Sequence, residues 1–131
     1  MRRAIFLTLI LTLALGVLAG CSSAPKQDPA AAAVEAYLNA LIGKDAAKLS
    51  ALSCADWEPQ ATLELDSFQA VTARLDGLAC TKSGDENGAA LVTCAGKIVA
   101  TYNNEDQDLD LAERTYLVKQ EGGDWRVCGY K

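Results

Sequence analysis

Five cysteines and no histidine set the chemistry open to this chain of 131 residues. Without an imidazole there is no Ser–His or Cys–His nucleophile pair, and the commonest general acid/base is missing. Cys54, Cys80, Cys94 and Cys128 are too widely spaced for a zinc site, which favours cysteines two to four residues apart, and no Cys-x-x-Cys redox pair is present. No G-x-G-x-x-G, phosphate loop or G-x-S-x-G sequence occurs. A carboxylate base in an apolar pocket is the catalytic arrangement that remains. Asp66, with Tyr37, Tyr102 or Tyr116 beside it, is the set of residues to watch, and Trp57 could line the open end of such a pocket. The plainer expectation is a solvated carboxylate and half-buried core tyrosines, so no catalytic residue is assigned. The run Asn103-Asn104-Glu105-Asp106-Gln107-Asp108-Leu109-Asp110 is rich in oxygen ligands. It lacks the glycine and the distal bidentate glutamate of an EF-hand, and reads as a solvated hairpin turn. No metal and no cofactor is expected.

The remaining cysteine, Cys21, has a different setting. Residues 1–20 carry Arg2 and Arg3, no acid, and an apolar-to-neutral run from residue 4 to 19 that falls short of the ~20 residues of a spanning helix. A basic start, an apolar middle and small residues at the end make an export signal. The stretch Leu18-Ala19-Gly20-Cys21-Ser22-Ser23 resembles the lipobox of bacterial lipoproteins. That resemblance implies cleavage before Cys21, a thioether-linked diacylglycerol on its sulfur and a further acyl group on the new amine. Ser22, rather than an acid, would allow transfer to an outer membrane; in a single-membrane cell the protein would face outward. The expected address is the bacterial cell envelope, outside the cytoplasm, with the membrane as a partner through lipid on Cys21. Each buried CH₂ contributes ~0.8 kcal/mol, so two or three chains anchor stably where one does not.

The expected organisation is a signal over 1–20, a lipidated tether over 21–28 and one small domain over 29–131. Loss of the two arginines leaves ten basic against seventeen acidic residues, a net charge of −7. A domain that acidic repels the phosphate backbone, so nucleic acid is excluded as a partner.

Asp28-Pro29 has the form of a helix start, and Val34, Tyr37, Leu38 and Leu41 follow at helical spacing with Gly43 as a stop. Asp45 begins a second helix, and a third is expected over 58–66. Segments 68–82, 89–102, 109–120 and 124–130 are richer in Val, Ile, Thr and aromatics, with turns at 83–88, 103–108 and 121–123. The expected fold class is α+β, with N-terminal helices on a curved antiparallel sheet of about four strands in meander order. The step Leu41-Ile42-Gly43-Lys44-Asp45 and the closing strand Gly123-Asp124-Trp125-Arg126-Val127 resemble the nuclear transport factor 2-like superfamily; a cystatin-like single helix on a sheet is the alternative. The first resemblance implies a cone-shaped cavity, and homodimers through the open sheet face are common in it. Some enzymes of that kind, steroid isomerases among them, use an aspartate with tyrosine help.

Four cysteines in an exported domain make two disulfides, with three connectivities open. Cys80 and Cys94 are symmetric about the 83–88 turn and would face each other across a hairpin. Cys94 and Cys128 would sit two strands apart, too far for a bond. The expected pairs are therefore Cys80–Cys94 and Cys54–Cys128. The resulting functional expectation is a lipid-anchored, non-catalytic domain that binds a protein or small ligand. A small isomerase or cyclase with a carboxylate base is the runner-up.

Overall fold

The computed structural model describes residues 25–131. The expected signal segment, the lipobox and Cys21 lie outside the described residues. Helix α1 spans Pro29–Ile42, α2 Ala46–Ala51 and α3 Glu58–Ser67, followed by strands β1 Thr72–Glu86, β2 Ala89–Tyr102, β3 Glu105–Asp110, β4 Thr115–Glu121 and β5 Asp124–Tyr130. A single 3-10 turn, Leu111–Glu113, joins β3 to β4. No described helix is long and apolar enough to cross a membrane.

Local chemistry accounts for the helix boundaries. The Asp28 carboxylate accepts the Ala30 amide at 2.8 Å, and Pro29 occupies the first turn, where a missing N–H is harmless. Asp45 caps α2 through Lys48 N–H at 3.0 Å. Gly43 caps the C-terminus of α1 where the stop is expected, keeping a helical φ of −73°, and Lys44 takes the left-handed turn at φ 56°. The Lys44 ammonium offsets this strain by donating to the Gln69 and Val71 carbonyls, tying the α1–α2 turn to the α3–β1 connection.

The sheet is antiparallel with five strands, not four, and it is not a simple meander. The order is β1-β2-β4-β5, and β3 pairs β2 on the same side as β4 but further along it. The segment expected to be a turn over 103–108 is mostly β3. Only Asn103 and Asn104 turn, with φ of 50° and 64°, which is the backbone of a two-residue hairpin. Acidic composition concealed this strand, because every residue of β3 is exposed and no apolar alternation was needed. The β1–β2 turn likewise contracts to Asn87 and Gly88.

Helices cover one sheet face. Val34, Tyr37, Leu38 and Leu41 of α1 are buried against Val92 and Ile98 of β2, Tyr116 and Val118 of β4, and Val127 of β5. Each such aliphatic side chain contributes about 1.5–3 kcal/mol of burial. Alternation along β2 places Ala90, Val92 and Cys94 on this face, which is why Cys80, opposite Cys94, points inward too. The sheet bends at a register shift between Asp76 and Ala79. There Gly96, at φ 93°, lies so close to β1 that a Cβ would stand 2.5 Å from the Asp76 carbonyl oxygen. Gly96→Ala is expected to destabilise the domain by about 2 kcal/mol through strain and overlap. Urea unfolding checks this; an unchanged midpoint would remove the bend from the account.

The two disulfides join Cys80 to Cys94 and Cys54 to Cys128, with Cα–Cα distances of 4.0 and 4.8 Å. The pairing is the one expected from the topology. Beside the second bond, Cys54 N–H donates to the Val127 carbonyl and Val127 N–H donates to the Leu52 carbonyl, both at 2.8 Å. This short parallel bridge covers part of the outer edge of β5.

Candidate functional site

Tyr37 of α1, Tyr130 of β5, and Trp57 and Arg114 from the connections before α3 and β4 converge around a carboxylate that the sequence reading missed. Ala61, Leu65 and Phe68 form the buried face of α3. Glu64 lies three residues after Ala61 and four before Phe68, so it borders that face, whereas Asp66 is rotated about 200° from Glu64. The Glu64 side chain is 11% exposed. Its oxygens accept from Arg114 Nη1 at 2.8 Å, from the Tyr37 hydroxyl at 3.0 Å and from the Tyr130 hydroxyl at 3.4 Å. Trp57 Nε1–H donates to the Tyr37 oxygen at 3.2 Å and completes the chain.

Aromatic packing fixes these groups. The Trp57 and Tyr130 rings meet edge to face at 5.5 Å, as do Tyr116 and Tyr130 at 5.7 Å. Arg114 lies 4.3 Å over the Tyr130 ring, a cation–π geometry. Gly129 lies against the Trp57 indole and holds a φ of 137°, a backbone conformation that favours glycine. The strand end Cys128-Gly129-Tyr130 thus seats one aromatic ring and supplies another.

The predicted residues divide between the interior and the surface. Tyr37 and Tyr116 are fully buried and Trp57 is half-buried, all in this cluster. Asp66 is exposed on the far side of α3, and Tyr102 is 56% exposed at the end of β2. Neither joins the others, so the Asp66-plus-tyrosine arrangement does not form. Glu64, Arg114 and Tyr130 were missed; the helical offset of Glu64 from Ala61 and Phe68 was the one legible signal. Cys54, Cys128 and Glu121 have ligand atoms within 4.8 Å of one another, but the two sulfurs are bonded together and offer no thiolate.

The burial has a measurable consequence. Desolvation pushes the Tyr116 phenol up to about 12 despite Arg114, and its hydroxyl has no hydrogen-bond partner. Tyr37 is raised further, first by burial and then by the Glu64 charge. Both groups ionise later when folded than when unfolded, so their stabilisation is complete below pH 10 and is lost as pH rises through the folded values. The Tyr116 share is about 2–3 kcal/mol. Tyr116→Phe should flatten the fall of unfolding free energy between pH 9 and 12, followed by phenolate absorbance and denaturant titration. An unaltered slope would mean that Tyr116 titrates in contact with solvent.

Above the cluster a groove of about 280 Å³ remains open, walled by Leu63, Glu64, Phe68, Leu109, Arg114 and Tyr130. Leu63 is 62% and Leu109 42% exposed; with Tyr102 they are the exposed large apolar side chains among the described residues.

No family model and no curated protein matches this chain. In structure the chain is similar to a SEC-C motif containing protein from Rhodopseudomonas palustris, solved in solution. The two are 10% identical over 80% of each chain, with a TM-score of 0.51. At that identity the likeness concerns the fold alone. The class defined by fold and site is a disulfide-stapled α+β domain with helices on one face of an antiparallel sheet.

Proposed function

We propose that this chain is a bacterial lipoprotein, cleaved before Cys21 and held by lipid on that residue, whose domain over 29–131 binds a partner without catalysing a reaction. The observation that carries the binding half is the engagement of Glu64. The inward carboxylate is paired with Arg114 and accepts from two phenols, so it is not poised as a base although it forms part of the groove wall. Beside it a surface groove rimmed by exposed leucines is open to a partner.

The anchoring half rests on the basic start, apolar run and Leu18-to-Cys21 sequence. Eight residues, 21–28, let the acidic domain stand as much as ~26–29 Å from the anchor. We read the fold as nuclear transport factor 2-like. The supporting features are a long first helix, the Lys44 step and a bent sheet that ends in the Gly123-to-Val127 strand.

Two measurements test the reading. Cys21→Ala should abolish fatty-acid labelling and release the protein; unchanged labelling would sink the anchor. A photo-crosslinking residue at position 109 should give a discrete adduct in intact cells, and one at Lys119, outside the groove, should not. Absence of any adduct at 109 would return weight to a free-standing role.

A further inference from the structure

The groove continues along a strand edge that no described residue pairs, and its two faces differ in chemistry. Strands β3 and β4 pair β2 on the same side, so the lane beside β3 is the prolongation of the lane that β5 occupies beside β4. Strand β5 spans Asp124–Tyr130, Lys131 still exchanges hydrogen bonds with Thr115, and Leu109 of β3, Tyr130 of β5 and Leu63 of α3 wall the groove beside this lane. Because Asn103 and Asn104 make a two-residue turn, Tyr102 and Glu105 are a hydrogen-bonded pair. Glu105, Gln107 and Leu109 then direct their backbone groups to β2. Asp106 and Asp108 direct theirs to the open lane, as Asp110 does its N–H.

Side chains alternate in the opposite sense. Leu109 pairs with the core residue Ile98 and lies on the helix-facing side. Asp106, Asp108 and Asp110 lie on the outer side, where they join Asp76 of β1. Arg74 pairs with Asp106 at 3.6 Å and Lys97 with Asp108, leaving four carboxylates against two cations. A strand laid in this lane would place one set of side chains over Leu109, Leu63 and Tyr130 and the other set beside an acidic row.

We propose, resting on the binding reading above, that β3 captures an extended segment of a partner protein in which apolar and basic residues alternate. The segment adds a strand antiparallel to β3, with main-chain bonds to Asp106 and Asp108 and basic side chains against the aspartates. A second copy is disfavoured at this edge, because two β3 strands would set aspartate against aspartate within domains that are each strongly acidic. The charge that keeps copies apart thus selects the partner.

The probe is an end-blocked octapeptide of alternating lysine and valine, added to the full-length protein in non-ionic detergent. Expected results are slowed amide exchange at Asp106 and Asp108, and binding at least tenfold tighter than that of a glutamate–valine peptide or of one with the same lysines and valines in blocks. Asp108→Lys should weaken binding at least fivefold. Asp108→Asn, which keeps the side-chain shape, should weaken it about twofold and guards against loss of fold in the lysine variant. Equal binding of the block peptide, slowed exchange along β1 instead of β3, or concentration-dependent protection of β3 without peptide would overturn the proposal. So would failure of the peptide to bind while the adduct at position 109 persists, an outcome that leaves the broader binding reading standing.

Discussion

Replacing Cys54 and Cys128 together by alanine is expected to lower the unfolding free energy by about 4 kcal/mol, the largest single effect in this molecule. The bond closes a loop of 75 residues, and chain-entropy arithmetic gives ~4.5 kcal/mol for that length against ~3 for the 15-residue loop closed by Cys80 and Cys94. The site adds a local reason. The disulfide holds the segment carrying Leu52 and Cys54 against Val127, and two 2.8 Å backbone hydrogen bonds depend on that contact. Its loss frees the outer edge of β5 and loosens the approach to Trp57, which packs on Tyr130. The melting temperature should fall by roughly 15–20 °C. The Cys80→Ala/Cys94→Ala pair should fall less, because β1 and β2 remain joined by their long ladder. Calorimetry of both variants decides; a larger loss from the hairpin bond would reverse the assignment of which staple matters more.

Arg114→Met should lower stability by about 3 kcal/mol, for a different reason. The guanidinium is the one cation paired with Glu64 among the described residues, and removing it leaves a carboxylate 11% exposed beneath aromatic rings. Breaking a buried pair from one side is costly because the partner's charge is stranded. The cation–π contact with Tyr130 goes as well. Arg114 itself is 28% exposed, so the loss should stay below that of a fully enclosed pair. The diagnostic is the double variant Glu64→Leu/Arg114→Met, which removes both charges and should recover to within about 1 kcal/mol of the original protein. Urea unfolding of the single and double variants makes the comparison. If the double variant is as unstable as the single one, packing of the arginine stem, and not the stranded carboxylate, carries the effect.

Both predictions concern residues read with unequal success from sequence. The disulfide partners followed from topology, since a hairpin places its cysteines opposite each other and a meander separates alternate strands. The extra strand left this intact, because β4 still lies between Cys94 on β2 and Cys128 on β5. The carboxylate was misplaced by two residues. Asp66 and Glu64 are chemically alike, and α3 is too polar for its buried face to stand out until Ala61, Leu65 and Phe68 are seen against the sheet. Arg114 and Tyr130 are 16 residues apart and meet only because β4 and β5 pair with Tyr116 opposite Tyr130.

Local rules were sufficient for some features of this protein. Capping by Asp28 and Asp45, the apolar stripe of α1 and the α+β layout all follow from spacing and side-chain type, which act over a few residues. The proposal that Cys21 is a lipid anchor likewise rests on a short recognition segment and on nothing in the described fold. Tertiary structure alone decided where β3 lies, that Lys44 and not Gly43 turns the chain, and which carboxylate enters the aromatic cluster. Each of those outcomes depends on a partner distant in sequence: β2 for the acidic strand, the Gln69 and Val71 carbonyls for the lysine, and Arg114 for Glu64. A polar group is committed only once its counterpart is in place, and no periodicity within one segment carries that information.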